Sequence, residues 1–585
     1  MAIPADIQKR AEVWLNSPFD SDTQNQVRLL MQKPQELIDA FFCDLSFGTG
    51  GMRGLMGVGT NRLNIYTIQR ATQGLANYVN QQKKTGKVVI GFDSRHHSKE
   101  FAEEAAKVLA ANQIQVFLIH ELRPTPYISF ACRFVQADAA IMITASHNPA
   151  QYNGYKVYWS DGGQVVSPHD IGIMQEVEKI SQLSQIHLSD FSNPIIQKIN
   201  NSSNQLDQLD QFYLQAIAPL QVFPKQDHQM GKNLKITYTS LYGTGSTIVP
   251  QALTHWGFDQ VYLVKEQCQP DGSFPTVAFP NPEYKETFTM GLKYMLDTKS
   301  DLLIATDPDA DRIGIAILHQ NKPILLDGNQ VAAICADYLA QVLNSENKMP
   351  ARAAIVTTIV STQLLKSIAK RYKIAYREVL TGFKYIGELI HKWEQSQEGP
   401  HFLFGAEESY GYLIGTHARD KDAIVMSCLL AEIALYAKKQ NQTLQDRLEK
   451  IYQTYGLFQE KQFSIDFAPG KKGMEKIEKI MQQLRQNPPK TIAAIDVLYI
   501  EDYQKRIRFT LELKQEEALE LPLSNVLVFG LKDQSRLIIR PSGTEPKIKI
   551  YLSTHLDSYS SLEQGINQCQ THLHTLLTNF NQFIL

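Results

Sequence analysis

Three separate stretches of this chain read as strand, helix, strand, and that recurrence limits the possible folds more than any other feature. In the first, Lys87–Asp93 is an apolar strand, Ser98–Gln113 carries helical periodicity behind a serine cap, and Gln115–His120 is strand-like again. The second runs from Leu234–Thr239 through a helix near Thr247–Trp256 to Gln260–Val264, and the third is Ala353–Val360, Thr362–Lys373 and Ile374–Val379. Such units build α/β layers with parallel-rich sheets. The last part of the chain differs. Gln462–Phe467, Ile495–Ile500, Arg506–Leu513, Val526–Leu531, Arg536–Ile539 and Lys547–Leu552 are strand candidates, with helices only near Met474–Gln486 and Leu562–Phe580. Strands that follow one another without helices predict an α+β domain with an antiparallel sheet. At roughly 100–200 residues per domain, 585 residues accommodate such a set. The expected domains are 1–205, 206–320, 321–455 and 456–585. The Asn/Gln/Ser-rich run Gln182–Gln211 is the expected linker, with Leu318–Asp327 and Tyr452–Gly456 as weaker boundaries.

Charge narrows the function. Lys and Arg number 58 against 60 Asp and Glu, a formal net charge of −2. Nucleic acid and anionic membrane both call for a concentrated basic field, so neither is an expected partner. The cysteines (Cys43, Cys132, Cys268, Cys335, Cys428, Cys569) form no C-x-x-C pair and read as reduced thiols of a cytoplasmic protein. Met1–Asp20 lacks a signal-peptide core. The longest apolar run, Ala423 to Ala437, contains Glu432 and is shorter than the ~18–20 residues of a spanning helix, so no membrane anchor is expected.

Five segments carry candidate chemistry. Thr144-Ala145-Ser146-His147-Asn148-Pro149 follows the apolar strand Ala139–Ile143, which places a hydroxyl at the strand's carboxyl end, where α/β folds bind ligands. Ser146 is a nucleophile or phospho-carrier candidate; the plainer reading is a turn whose Ser and Asn cap backbone groups. Asp307-Pro308-Asp309-Ala310-Asp311-Arg312 follows Leu302–Thr306, and its carboxylates at i, i+2 and i+4 offer oxygen ligands to a hard divalent cation such as magnesium. It is not an EF-hand, because the sixth and twelfth loop positions are Arg312 and Leu318. An aspartyl phosphatase using Asp307, or a solvated acidic turn, are the alternatives. Arg540-Pro541-Ser542-Gly543-Thr544 offers a guanidinium fork, hydroxyls and a glycine to a phosphate, or else is a plain β-turn. Gly405–Gly411 contains Glu407, Glu408 and Ser409, able to bind vicinal sugar hydroxyls or to form a solvated face. Phe47–Gly54 is a glycine-rich loop ending in Arg53, without the Gly-Lys-Ser/Thr of a P-loop and with no clear strand ahead of its glycines.

In this order and together, the five segments resemble the α-D-phosphohexomutase superfamily, in particular its phosphoglucomutase type, over almost the whole chain. Two departures stand out: Pro308 and Ala310 occupy positions where the family's metal loop has glycine, and Ala406 replaces a glycine often found before the sugar-binding Glu. The resemblance implies an α/β fold of three similar mixed-sheet domains plus a C-terminal α+β domain, heart-shaped around a central cleft, each domain lending one loop. It implies a phosphomutase, an isomerase of carbohydrate metabolism, that moves phosphate between C1 and C6 of glucose through phosphoserine and glucose 1,6-bisphosphate. Mannose, glucosamine and pentose phosphates are the alternative substrates, and a metal-dependent phosphatase is the alternative enzyme.

Ser146 would carry the phosphate, whose oxygen would complete the coordination of a magnesium held by Asp307, Asp309 and Asp311. A serine hydroxyl is a weak nucleophile and an alkoxide a poor leaving group, so charge on the transferring phosphoryl must be offset in both directions. Arg53 and Arg312 are candidates for that task. Lys156, in Asn153-Gly154-Tyr155-Lys156, matches a family lysine near the reacting oxygen. Lys156 or His147 would be the general acid or base. Glu407 and Ser409, with Arg419 and Lys421 as further candidates, would read the sugar, and Arg540, Ser542, Gly543 and Thr544 would grip the unreactive phosphate. A monomer with small-molecule partners only is expected.

Overall fold

The computed structural model describes residues 3–47, 51–199, 208–396, 398–468, 471–542 and 546–584. The chain divides into two compact units: Met1–Asp327 with Phe383–Gly405 and Ser409–Asn441, and Gly328–Gly382 with Ala406–Glu408 and Gln442–Leu585.

The first unit opens with three helices, α1 (Ala5–Val13), α2 (Ser21–Leu30) and α3 (Pro34–Phe41). They close on Ile7, Trp14, Phe19, Val27, Leu37, Phe41 and Tyr66, with Trp14 stacked on Phe19 at 4.4 Å between ring centroids. Six strands then form one mixed sheet: β1 (Gly51–Leu55), β2 (Lys87–Phe92), β3 (Gln115–Ile119), β4 (Ala139–Ile143), β5 (Tyr152–Trp159) and β6 (Ile196–Ile199), in the order β1-β5-β4-β2-β3-β6. The inner β2, β3 and β4 pair in parallel, whereas β5 runs antiparallel to both β4 and β1. The central strands are apolar on both faces because both faces are covered. Val88 and Ile90 meet Phe101, Ala102 and Leu109 of α5 (Ser98–Ala111) and Leu75 of α4 (Ile65–Gln82) in one core. On the other face Gly91 leaves room for Ile128 of α6 (Thr125–Phe134), whose Cδ1 would lie 2.2 Å from a Cβ there.

Two expectations change here. The expected linker Gln182–Gln211 contains β6, whose Ile196 to Ile199 pair in parallel with Val116 to Ile119 of β3. Its polar composition suits an edge strand with two exposed side chains. Gly51 to Gly54 of the glycine-rich segment belong to strand β1, whose backbone pairs with β5. Ser98 is not a helix cap. His97 occupies the cap position with φ of 61°, and the Ser98 hydroxyl donates instead to Asp93.

A second sheet of the same unit contains β7 (Ile236–Thr239), β8 (Val261–Leu263), β9 (Leu302–Thr306), β10 (Ile313–His319) and β11 (Lys322–Leu326), ordered β11-β10-β9-β7-β8. Strands β8, β7 and β9 are parallel, and β9, β10 and β11 form an antiparallel meander. The expected boundary Leu318–Asp327 is therefore the hairpin between β10 and β11, turned at Gln320 and Asn321 with positive φ.

In the second unit β12 (Ala353–Thr358) pairs in parallel with β13 (Ala375–Val379) across the helix Leu364–Arg371, as the third strand-helix-strand pattern predicts. Strand β14 (His401–Glu407) carries the chain from one unit to the other, and β15 (Gly411–Ile414) belongs to the first. The weaker boundary at Tyr452–Gly456 is the end of the helix Leu444–Tyr455, stopped by Gly456 at φ of 95°.

The C-terminal strands β16 (Leu457–Asp466), β17 (Thr491–Ile492), β18 (Ile495–Asp502), β19 (Ile507–Thr510), β20 (Gln515–Ala518), β21 (Leu527–Leu531), β22 (Arg536–Pro541) and β23 (Lys547–Leu556) make an antiparallel sheet ordered β16-β23-β22-β21-β18-β19-β20, with β17 against β18. Helices Lys471–Gln486 and Leu562–Asn581 bury Ile477, Met481, Leu573, Leu576 and Phe580 against Leu527, Phe529, Leu537, Ile539 and Ile550.

Candidate active site

Two strand ends of the first unit create the site. Beyond β4 the chain turns at Ser146, a buried residue with φ of 52°, whose amide donates to the Thr144 hydroxyl at 2.8 Å. Beyond β9 the Asp307 loop is folded tightly by a turn from Ala310 N–H to the Asp307 carbonyl at 2.9 Å. Asp307 Oδ1 accepts the amides of Asp311 and Arg312 at 3.1 and 3.0 Å. Ala310 lies at φ of 49°, so this turn demands the left-handed region of a residue that is not glycine. The Thr244 amide and hydroxyl both donate to the Pro308 carbonyl, at 2.7 and 2.9 Å, and hold the loop from outside.

The two loops meet at the Ser146 hydroxyl. Ser146 Oγ donates to Asp307 Oδ2 at 2.8 Å and lies 3.0 Å from His147 Nδ1. All three aspartates are buried, and one ligand oxygen of each lies within 4.8 Å of the others. Asp309 Oδ2 receives Thr125 Oγ1 at 2.7 Å and Lys156 Nζ at 2.8 Å; Lys156 and Lys421 each reach Asp311 Oδ2 at 3.2 Å. Oδ1 of Asp309 and Oδ1 of Asp311 are buried without a hydrogen-bond partner among the described residues. Orphaned buried carboxylate oxygens are costly unless a cation satisfies them. An all-oxygen donor set of this kind fits a hard divalent ion.

Electrostatics point the same way. Burial, then the charges of Asp309 and Asp311, push the Asp307 carboxyl well above its usual range, the signature of a site short of positive charge. Burial works against Asp311 too, but Lys421, Lys156 and Arg312 outweigh it and hold that carboxyl below its usual range. Burial also disfavours the charge on Lys156, yet Asp309 and Asp311 prevail and keep it protonated above its ordinary range. His147 is the opposite case: burial and the cations of Arg312 and Arg53 depress it well below the ordinary imidazole value, leaving it neutral.

Of the residues singled out in the sequence, Ser146, His147, Lys156, Asp307, Asp309, Asp311 and Lys421 converge. Arg53, on β1, donates to Asn148 Oδ1 at 2.8 Å on the serine loop. Arg312 pairs with Glu283. Arg419 goes elsewhere. Its buried guanidinium is bound to Glu394 and to the carbonyls of Thr416 and Ala418, so it anchors its own loop while its neighbour Lys421 reaches the aspartates. In the second unit Glu407 accepts the Gly382 amide at 3.0 Å, and Glu408 accepts the Thr358 hydroxyl at 3.1 Å. Ser409 is grouped with the first unit. Arg540 lies on β22, opposite Lys549, and the Ser542 amide donates to the Lys547 carbonyl at 2.8 Å. Gly543 and Thr544 lie outside the described residues.

Sequence reasoning missed Thr125 and Arg95. Thr125 starts α6, far from either loop in the chain, and carries no local signal. Arg95 sits just past the carboxyl end of β2, the edge where α/β sheets bind ligands, and that position is a usable signal.

Comparison with known proteins agrees with this architecture. Models of the phosphoglucomutase/phosphomannomutase alpha/beta/alpha domains I, II and III match residues 44–184, 211–320 and 327–455. A phosphoglucomutase of Staphylococcus haemolyticus is 37% identical over 528 residues, 90% of this chain and 93% of the relative. One from Staphylococcus aureus strain MRSA252 is 38% identical over 560 residues, 95% and 97%. The fold is shared with Paramecium pp63/parafusin, at a TM-score of 0.65 and 18% identity over 93% of this chain and 96% of that one. It is shared also with a phosphoglucomutase/phosphomannomutase family protein of Burkholderia thailandensis, at 0.63 and 16% over 92% and 96%. The serine loop and the buried aspartate triad thus sit in the first two of three matched family domains, and the chain belongs to the phosphoglucomutase/phosphomannomutase family.

Proposed function

We propose that this enzyme interconverts glucose 1-phosphate and glucose 6-phosphate, with Ser146 as phospho-carrier and glucose 1,6-bisphosphate as intermediate and activator. The observation that carries the reading is Ser146 Oγ, 2.8 Å from Asp307 Oδ2 at the edge of a buried three-carboxylate cluster. The near-full-length likeness to phosphoglucomutases supports glucose as the sugar.

Asp307, Asp309 and Asp311 would hold the ion, and magnesium suits a site of a few carboxylates that leaves room for a phosphate oxygen. When bound, that ion supplies Lewis-acid stabilisation of the transferring phosphoryl group. Lys156, held protonated by Asp309 and Asp311, presents a positive Nζ and a proton donor to the oxygen that leaves or arrives. His147 Nδ1 lies 3.0 Å from Ser146 Oγ, within reach of its proton, and burial with the cations of Arg312 and Arg53 keeps the imidazole neutral. Arg53, through Asn148, and Arg312 add positive charge on the serine side. Phosphoserine gives its group to the free hydroxyl of the sugar phosphate; the bisphosphate turns over, and its other phosphate returns to Ser146. Glu407, Ser409 and Lys421 would read sugar hydroxyls, and Arg540, Ser542, Gly543 and Thr544 would grip the phosphate at rest.

We place the functional boundaries at residues 205, 320 and 455; the matched domains end at 184, 320 and 455, and the second begins at 211. A reducing, cytoplasmic setting suits the six free cysteines, five of them buried, and the protein is proposed to act as a monomer. No described helix is long and apolar enough to cross a membrane. A 31P NMR panel of glucose, mannose, glucosamine and pentose 1-phosphates, each with catalytic glucose 1,6-bisphosphate, tests the substrate. Glucose 1-phosphate should isomerise fastest. A faster rate on another sugar would reassign the substrate, and release of inorganic phosphate as fast as isomerisation would make the enzyme a phosphatase.

A further inference from the structure

Arg95 has a fully enclosed side chain that ends on four backbone carbonyls of one loop. Its Nη2 donates to the carbonyls of Ser146, at 2.6 Å, and Asn148; its Nη1 donates to those of Pro149 and Tyr152 at 2.9 and 3.0 Å. Asp93, equally enclosed, lies 3.4 Å from Nε, and its Oδ1 accepts the Arg95 amide and the Ser98 hydroxyl at 2.9 and 2.7 Å. Carbonyls that converge on one point repel one another, and only a planar fork of several N–H groups satisfies them together. A buried guanidinium is an expensive way to fill space, since a well-packed apolar side chain serves stability as well or better. The group is therefore placed for what it holds.

It also ties the serine loop to the metal loop. The Phe274 ring covers the guanidinium at 4.9 Å, and a Cβ on Gly272 would lie 2.5 Å from the His96 nitrogen. Phe274 packs with Leu241, Tyr242 and Val277, and Ala150 of the serine loop packs against the same cluster. Two residues after Tyr242, Thr244 holds the Pro308 carbonyl of the aspartate loop. One framework therefore carries both sides of the 2.8 Å contact between Ser146 and Asp307.

We propose that Arg95 is a positioning residue for phosphoryl transfer, fixing the Ser146–Tyr152 backbone so that the serine oxygen keeps its place beside the aspartate cluster as phosphate leaves and returns. The inference rests on the reading of Ser146 as phospho-carrier. It is tested in the full-length protein with magnesium and glucose 1-phosphate, using Arg95→Lys, Arg95→Ala, Phe274→Leu and, in parallel, Ser146→Ala. A shift of about 1 Å in a reacting group costs on the order of 100-fold, so kcat of Arg95→Lys should fall by about that factor with KM near wild type. Lysine keeps the charge but cannot supply the fork. Added guanidinium ion, and not ammonium, should raise kcat of Arg95→Ala. Phe274→Leu, which loosens only the ring face, should lower kcat less and leave KM unchanged. Folded Arg95→Lys with kcat within about twofold of wild type, or no selective rescue of Arg95→Ala, would overturn the proposal. Should both Arg95 variants fail to fold, wild-type kcat in Phe274→Leu would overturn it and a reduced kcat at unchanged KM would support it. Turnover by Ser146→Ala would sink the phospho-carrier reading itself, whereas an inert Ser146→Ala beside a normal Arg95→Lys would sink only this inference.

Discussion

At Asp309 three interactions of different kind converge on one carboxylate: a hydroxyl from Thr125, an ammonium from Lys156, and an oxygen left over for an ion. The two partners should therefore respond oppositely when removed. Thr125→Val deletes a neutral donor that orients the ligand, and outer partners of this type are worth about 10–100-fold in metal affinity. The magnesium concentration for half-maximal activity should rise by that factor in a protein that still folds. Lys156→Met deletes a positive charge 2.8 and 3.2 Å from two of the three ligands, so magnesium should bind more tightly while kcat collapses. Calorimetric titration separates the two effects; weaker magnesium binding by Lys156→Met would refute the assignment of Lys156 as a charge competing with the ion.

Element-level behaviour turns on how strands and caps are fitted. Strand β5 lies between β1 and β4, and a Cβ on Gly154 would stand 2.4 Å from the Thr144 carbonyl and 2.9 Å from that of Met52. Gly154→Ala should cost about 1–3 kcal/mol by overpacking, and should lower kcat as well, because the displaced Thr144 caps the Ser146 amide. A thermal shift measured with kcat on the same sample checks both. Helix α2 is capped by Asp20, which accepts from the Thr23 amide and hydroxyl and from Tyr66 Oη. Partial burial opposes ionisation, but these hydrogen bonds win and bring its carboxyl down to about 2. The cap's contribution should then be complete above the ordinary value of 3.8 and be lost as pH falls through about 2. Asp20→Ala should weaken α2 by about 1 kcal/mol at pH 6, read as faster amide exchange over Ser21–Leu30, with the difference vanishing in strong acid.

The same scale shows what the sequence could disclose. The three strand-helix-strand units and most of the C-terminal strands were legible because their apolar periodicity is strong and local. Strand β6, two of whose four side chains are exposed, was not, since pairing with a distant strand outweighs its own propensity, and the β10–β11 hairpin read only as a boundary. Ser98 looked like a cap but gives its hydroxyl to Asp93, a choice made by tertiary contact. In the site, the three aspartates stood out by their i, i+2, i+4 spacing and Ser146 by its place after an apolar strand. Thr125 could not, and Arg95 only by its place past the end of β2, because their contacts depend on which loops the fold brings to them, and Arg419 lies apart from the aspartates because Glu394 claims its guanidinium.

Over the whole molecule, a formal charge of −2 conceals strong local imbalance. Three buried carboxylates face Lys156, Lys421 and Arg312, and burial leaves Asp307 reluctant to ionise until more positive charge arrives. An ion that binds only the folded state should therefore stabilise it, by about 2.7 kcal/mol at 100 times its dissociation constant. Chelation should lower the melting temperature of wild-type protein and leave Asp309→Asn unmoved; equal sensitivity of the two would contradict the triad as the ion's site.

The central claim, that phosphate passes through Ser146, is tested most directly by intact-mass measurement of the protein after exposure to glucose 1,6-bisphosphate, with mutase turnover followed by 31P NMR on the same sample. Wild type should carry one phosphoryl group on Ser146 and convert glucose 1-phosphate to glucose 6-phosphate without accumulating inorganic phosphate, and Ser146→Ala should take up no phosphoryl group and leave the substrate unchanged. An unmodified wild-type protein that turns over, or a Ser146→Ala variant that isomerises the sugar phosphate, would contradict it.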